Sequence, residues 1–177
     1  YDEALLELRE LQKKARFPEH SFPIAQSLNL RGIIAKKRGQ YAESLDYYQN
    51  ALRIFERINN MHHCALVLGN IGVVYKNLSD YQQSLQYYQK ALEIYEQINI
   101  PLSEAIVLGN IGILYRHLEK YDTALAYLFR ALAINEEHNN IHGIETELGN
   151  IGNVYKDMGE YDAARSYQLR ALSLVEQ

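Results

Sequence analysis

Two groups of side chains in this 177-residue chain are of types that bind metals or carry protons: His62-His63-Cys64, consecutive in sequence, and His138 with His142, four apart. A zinc-type site needs three or four ligands converging on one point, whereas adjacent residues on a helix point in different directions. No carboxylate or further ligand keeps a defined spacing to the first trio, and the second pair straddles Asn139-Asn140, which reads as a joint. We expect no metal site, and solvated histidines at 138 and 142. The string Gly-Asn-Ile-Gly, at 69–72, 109–112 and 149–152, has the glycine content of a phosphate loop. Such loops follow a strand and open a helix, and here the string lies inside helical periodicity, where its amides are already used. Asn77-Leu78-Ser79 is formally a glycosylation sequon and is read as coincidence. No catalytic constellation and no cofactor site emerges, so the chain is expected not to be an enzyme.

The composition narrows the field further. At 47% hydrophobic and 23% charged, with 3 Pro and 10 Gly, the chain is neither disordered nor collagen-like. A net charge of −4 lacks the basic footprint of nucleic-acid binding. One cysteine excludes an intramolecular disulfide and fits a cytoplasmic setting. No apolar run approaches the roughly 18 residues of a membrane helix, and the first residues lack the layout of a signal peptide. The 15 Tyr beside 4 Phe and 0 Trp need an explanation by position.

The elements that must position any site follow from an internal repeat. Leu-Gly-Asn-Ile-Gly begins at Leu68, Leu108 and Leu148, 40 residues apart, and Leu28 with Gly32 marks a fourth, divergent copy. Tyr41, Tyr81, Tyr121 and Tyr161, then Ala51, Ala91, Ala131 and Ala171, repeat in the same register. Between these landmarks apolar residues recur at helical spacing. Helices are expected over about 24–38, 41–58, 63–77, 81–98, 103–117, 121–138, 143–157 and 161–176, with a loop holding Pro18 and Pro23 before the first. Gly39, Ser79 and Gly159 close the turns within units, while Asn59-Asn60, Asn99 and Asn139-Asn140 mark the joints between them. Gly32, Gly72, Gly112 and Gly152 fall mid-helix, where glycine costs about 1 kcal/mol against alanine. Close approach of the following helix, with Ser44, Ser84, Ala124 and Ala164 opposite, would offset that cost. The tyrosines then read as half-buried seams between repeated helices, where a ring packs and a hydroxyl finds a partner.

These residues resemble the tetratricopeptide repeat family, whose pattern appears in the second unit as Ile71-Gly72, Tyr75, Ser84, Tyr88 and Ala91. The resemblance covers the whole chain. Leu28, Leu68, Leu108 and Leu148 stand where tryptophan is common, and the period is 40 rather than 34. HEAT-like repeats share a long period but not this glycine, tyrosine and alanine spacing. The length and the Gly-Asn doublet are similar to the long-unit subclass of Pins-like adaptors and bacterial signalling arrays. The resemblance implies an all-α fold, a right-handed superhelical solenoid of antiparallel helix pairs. Its units would be 24–60, 61–100, 101–140 and 141–177, and residues 1–16, matching Tyr121 to Leu125 at their start, would be the second helix of a truncated preceding repeat. Because solenoids usually carry capping helices, the chain is expected to be a segment of a longer protein.

Function would then lie on a concave groove that binds a protein or peptide partner. Carried over residue by residue, the groove positions are Asn70, Asn110 and Asn150, whose amides can both donate to and accept from a peptide backbone. Beyond them come Ile33, Val73 and Ile113, replaced by Asn153 in the last unit, and a basic stripe of Lys36, Lys76, Arg116 and Lys156. That stripe favours an acidic, extended or helical segment; alternatively its cations only complement helix dipoles. The carboxylate clamp of some relatives is not supported, since Asn29 and Ile33 occupy its places. Two other readings remain open: a sensory or regulatory module of a multidomain signalling enzyme such as a nucleotide cyclase, diguanylate cyclase or histidine kinase, and self-association through the terminal helices. No nucleic acid, membrane insertion, metal or cofactor is expected.

Overall fold

Apolar residues at three- and four-residue intervals, interrupted every 20 residues by a short turn, fold into helices throughout residues 18–175, the part of the chain that the computed structural model describes. In order these are α1 (Pro18–Lys37), α2 (Tyr41–Arg57), α3 (Met61–Asn77), α4 (Tyr81–Gln97), α5 (Pro101–His117), α6 (Tyr121–Glu137), α7 (Ile141–Asp157) and α8 (Tyr161–Val175). The described residues contain no strand. None of their helices is long and apolar enough to cross a membrane. The helix expected over 1–16 and the last two residues of the fourth unit, 176–177, lie outside the described residues.

The first helix departs from expectation. It begins at Pro18 and runs through Pro23 instead of following a loop that holds both prolines. Proline at a first helical position loses no bond that the helix would have made. Pro23 does interrupt the ladder, and burial around it offsets the loss: Ser21 and Ile24 are buried, and the Phe22 ring meets Phe55 at 5.9 Å and His63 at 4.9 Å.

The turns repeat as closely as the helices. Each is three residues long, with the middle one at positive φ: Gly39, Asn59, Ser79, Asn99, Glu119, Asn139 and Gly159, at 52° to 82°. Glycine and asparagine tolerate this region best, whereas Glu119 adopts it against its side chain. The next helix is then capped or started cleanly. Asn60 accepts from the His63 N–H at 3.1 Å, Asn140 from the Gly143 N–H at 3.3 Å, and Pro101 opens α5. These caps start α3, α5 and α7 two residues before the expected positions.

The described chain divides into two compact bodies, one ending at Ile94 and the other starting at Tyr95. In the first, α1 and α3 pack against α2, around Leu28, Tyr48, Phe55 and Ile71. In the second, α5 pairs with α6, and α7 packs on both α6 and α8, around Leu128, Leu148 and Ile151.

Within each body the recurrent glycine permits the close approach its position suggested. A β-carbon on Gly32 would come 2.5 Å from the Tyr48 ring, on Gly72 2.7 Å from Tyr88, on Gly112 2.6 Å from Leu128, and on Gly152 3.3 Å from the Ala164 carbonyl. The small residues expected opposite contribute more than space: Ser44 and Ser84 donate their hydroxyls at 2.8 Å to the carbonyls of Gly32 and Gly72.

The described tyrosines are not all half-buried seams, which corrects that reading: some stack in seams, some are fully buried, and Tyr161 is exposed. Tyr75 with Tyr87, Tyr115 with Tyr127 and Tyr155 with Tyr167 do form seams, their half-buried rings stacked at 5.4 Å, 5.5 Å and 5.4 Å. Tyr48 and Tyr88 instead fill the centre of their helix pairs, fully buried, with hydroxyls that find no partner among the described residues. Burial pushes the Tyr48 phenol up to about 12 and that of Tyr88 higher still. The glycine opposite selects this outcome by making room for a ring.

Candidate functional site

Packing accounts for His63 and Cys64, whereas His138 and His142 are exposed. His63 stacks on Phe55 at 4.9 Å, and its Nδ1 lies 2.9 Å from the capping Asn60 oxygen. Burial, helped by neighbouring His62, lowers its pKa. Cys64 is buried, and its thiol is pushed up to about 11 by desolvation. His138 Nδ1 sits 2.9 Å from the Ile134 carbonyl, and exposed His142 lies 3.9 Å from Glu145. No cluster among the described residues gathers three or more potential metal ligands.

In the first body the sequence-predicted residues meet in pairs. Asn70, half-buried, donates its amide to the Asn29 oxygen at 3.1 Å, linking α3 to α1 across 41 residues. Lys36 and Lys76 are both half-buried. Burial lowers the pKa of each, and for Lys36 the charges of Lys76 and Lys37 lower it further. Two cations held this close concentrate positive potential on one patch. Val73, between Asn70 and Lys76 on α3, is half-buried.

The second body treats the equivalent positions differently. Arg116 is paired with Asp157 at 3.3 Å, so its charge is already answered by a neighbouring helix. Lys156 and Asn153 are exposed. Asn110 donates to the Ile106 carbonyl one turn back at 3.0 Å, and Asn150 donates to Glu147 at 3.1 Å. Asn110, Ile113 and Asn150 come together on the wall of one cavity of about 290 Å³, formed by α5, the end of α6 and the start of α7. Asn153, Arg116 and Lys156 are not among its lining residues.

That cavity also contains the residues that reasoning from recurrence missed. Asn135, Asn140, Gly143 and Glu147 line it. In the 40-residue register Phe55 and Tyr95 become Asn135, His63 and Ser103 become Gly143, and Val67 and Val107 become Glu147. In the first body the corresponding joint is filled by the stacked Phe55 and His63 rings. In the second, an amide and a glycine replace that aromatic pair, and the Asn135 and Asn140 side chains take the space where a β-carbon on Gly143 would lie. The amides satisfy one another in series: Asn135 donates to the Ala131 carbonyl at 3.0 Å and accepts from Asn140 at 2.7 Å, while Asn140 accepts from the Gly143 amide.

Glu147 is the exception in this wall. Its side chain is 4% exposed, and burial pushes its carboxyl up to about 7, with the Asn150 bond acting to lower it. An ionised carboxylate offers about four acceptor positions, of which Asn150 uses one. The lining residues include neither lysine nor arginine.

Comparison with known proteins follows the same lines. A tetratricopeptide repeat family pattern matches residues 23–97 and 63–137, and a second tetratricopeptide repeat pattern matches 148–177. No curated protein matches the chain. Among solved structures it is similar to BtubC (BKLC) from P. vanneervenii, with TM-score 0.77 and 22% identity over 96% of this chain and 74% of that one. It is also similar to apo RapI, with TM-score 0.80 and 20% identity over 99% of this chain and 50% of that one. The Rap conjugation gene regulator of plasmid pLS20, solved in complex with the Phr* peptide, matches with TM-score 0.76 and 23% identity. That match spans 88% of this chain and 44% of the regulator.

Proposed function

We propose, from the premise that the chain belongs to the tetratricopeptide repeat family, that it is a non-catalytic scaffold that binds a partner polypeptide, with Asn110 and Asn150 in the second body and Asn70 in the first as candidate contacts. The observation that carries this reading is the convergence of Asn110, Ile113 and Asn150, from two helices, on a single cavity. Amides beside an apolar side chain suit a polypeptide, which presents backbone donors and acceptors between side chains. A fold neighbour solved with a bound peptide gives independent support. In the first body Lys36 and Lys76 favour acidic residues in the partner, and added salt should weaken that part of the binding. Arg116 contributes less, being paired with Asp157. Affinity capture followed by mass spectrometry, comparing wild type with the Asn110→Ala, Asn150→Ala double variant, tests the proposal. Equal recovery of the same partners by both proteins would move the site elsewhere.

A second reading is self-association through α8, favoured by its exposed Tyr161, Leu169 and Leu172. Light scattering over a range of concentrations decides it, and a constant monomer mass would end it. A third takes the repeats as the regulatory part of a larger signalling protein; the chain spans half of RapI and 44% of the pLS20 regulator. The domains that flank the repeats in the gene decide that one.

A further inference from the structure

We infer that the cavity beside Glu147 is a specificity pocket that receives one cationic side chain, arginine or lysine, of the bound polypeptide; the inference rests on the peptide-binding reading above. Three observations lead to it. First, Glu147 is a carboxylate in the apolar layer of a repeat, where the register elsewhere places Val67 and Val107. A buried carboxylate is costly unless paired or well hydrogen-bonded, and here one amide serves it. Second, room has been made for it. Gly109 lies where a β-carbon would collide with the Glu147 carboxylate, whereas Gly69 and Gly149, its counterparts, have nothing within 4 Å. Third, the cavity, at about 290 Å³, lies at the lower edge of the roughly 300–1,000 Å³ of ordinary ligand pockets, with room for one long side chain.

The lining fits such a guest from end to end. Ile106 and Ile113 offer apolar surface to an alkyl stem, as the methylenes of lysine and arginine prefer. The unspent acceptor positions of Glu147 then meet the charged head, and a guanidinium can bond the carboxylate through two N–H groups. Asn140 donates to the Asn135 oxygen and Asn135 donates to the Ala131 carbonyl, so neither amide bonds the carboxylate. Besides Glu147, the one titratable lining residue is His142 on α7, which is exposed; α5 and α6 contribute none. Since burial pushes the Glu147 carboxyl up to about 7, entry of a cation would lower its pKa and release protons to solvent.

The test uses the full chain and NMR of the Glu147 carboxyl and the Asn150 side-chain amide. N-acetyl-arginine amide, N-acetyl-lysine amide, alanine amide and the neutral isostere N-acetyl-citrulline amide are titrated in turn. The arginine or lysine compound should give a saturable shift and lower the Glu147 pKa, with citrulline about 30-fold weaker. Glu147→Gln should lose the response at Asn150, and Gly109→Ala should weaken it, with helicity checked by circular dichroism. An equal response to citrulline, a response to alanine amide alone, or none from any compound would overturn the pocket. A random-peptide array separates this from the parent reading. Peptides enriched in arginine or lysine for wild type but not for Glu147→Gln support the inference. Peptides that bind without that enrichment sink the pocket and leave the scaffold standing, whereas a capped-arginine response with no peptide retained sinks the scaffold and leaves the cation site.

Discussion

The carboxylate of Glu147 rests against the Cα of Gly109, in the space that any other residue's β-carbon would fill. The two residues sit on neighbouring helices and depend on each other: the glycine costs helix stability, and the carboxylate occupies the room so made.

Gly109→Ala and Gly69→Ala should therefore have opposite effects. At Gly69 the new methyl meets nothing within 4 Å, and helix propensity alone should stabilise the protein by about 0.5–1 kcal/mol. At Gly109 the methyl displaces a buried carboxylate, and a net loss of about 1–3 kcal/mol is expected. Urea unfolding of both variants checks this, and parallel shifts would show that Glu147 yields freely.

Stability should depend on pH through Glu147. Its folded-state pKa is raised to about 7, so the folded protein holds a proton that the unfolded chain releases earlier. The stability linked to that proton is complete below the ordinary carboxyl range and is lost as pH rises through about 7, by roughly 3 kcal/mol in all. Glu147→Gln removes this dependence. A wild-type minus variant difference that stays flat across the window would refute it.

Tyr88→Phe should be neutral or stabilising by up to about 1 kcal/mol, because it deletes a buried hydroxyl that makes no well-formed hydrogen bond among the described residues, Ser84 being its one polar neighbour. Gly72→Leu, in contrast, drives a side chain into the same ring and should unfold that helix pair. Thermal melts distinguish the two, and a cost of more than 1 kcal/mol for the phenylalanine variant would mean that the hydroxyl is bonded.

Glu119→Gly should raise stability by about 1 kcal/mol, since Glu119 holds a φ of 58° where the same turn elsewhere uses Gly39 and Gly159. Chemical denaturation is the measurement; a destabilised variant would show that the Glu119 side chain has a role outweighing its backbone strain.

Asn150→Ala should act on binding and on titration together. Without its amide bond the Glu147 pKa should rise further, because that bond is the contribution that lowers it, and peptide affinity should fall while helicity stays. An NMR pH titration of Glu147 in the variant reads the first effect, and an unmoved pKa would show that the bond does not form in solution.

Most of the fold is legible in the sequence because it is periodic. Tyr41, Tyr81, Tyr121 and Tyr161 start their helices where the register places them, and Gly72 implies the neighbour that Tyr88 turns out to be. The beginning of α1 is not legible, because two prolines argue for a loop and only tertiary burial of Ser21 and Ile24 argues otherwise. The cavity is harder still. Recurrence highlights Asn110 and Asn150, whereas the rest of the cavity's wall is built by residues that fail to recur, Asn135, Gly143 and Glu147. A residue that breaks a repeat has its packing decided by residues far away in sequence, and no local pattern announces it.

The seven turns carry a consequence for the history of such a chain. Every joint has the same three-residue length and the same left-handed middle residue, so the backbone is indifferent to which helix follows. Excising residues 61–100 would join Asn60 to Pro101 through a turn of unchanged geometry, with the buried and exposed faces in register. Removing a single helix of 20 would keep the geometry and present the wrong face. Genes of this kind can grow and shrink by unequal recombination in steps of two helices, and a lone departure such as Glu147 can arise in one copy while the others keep the fold.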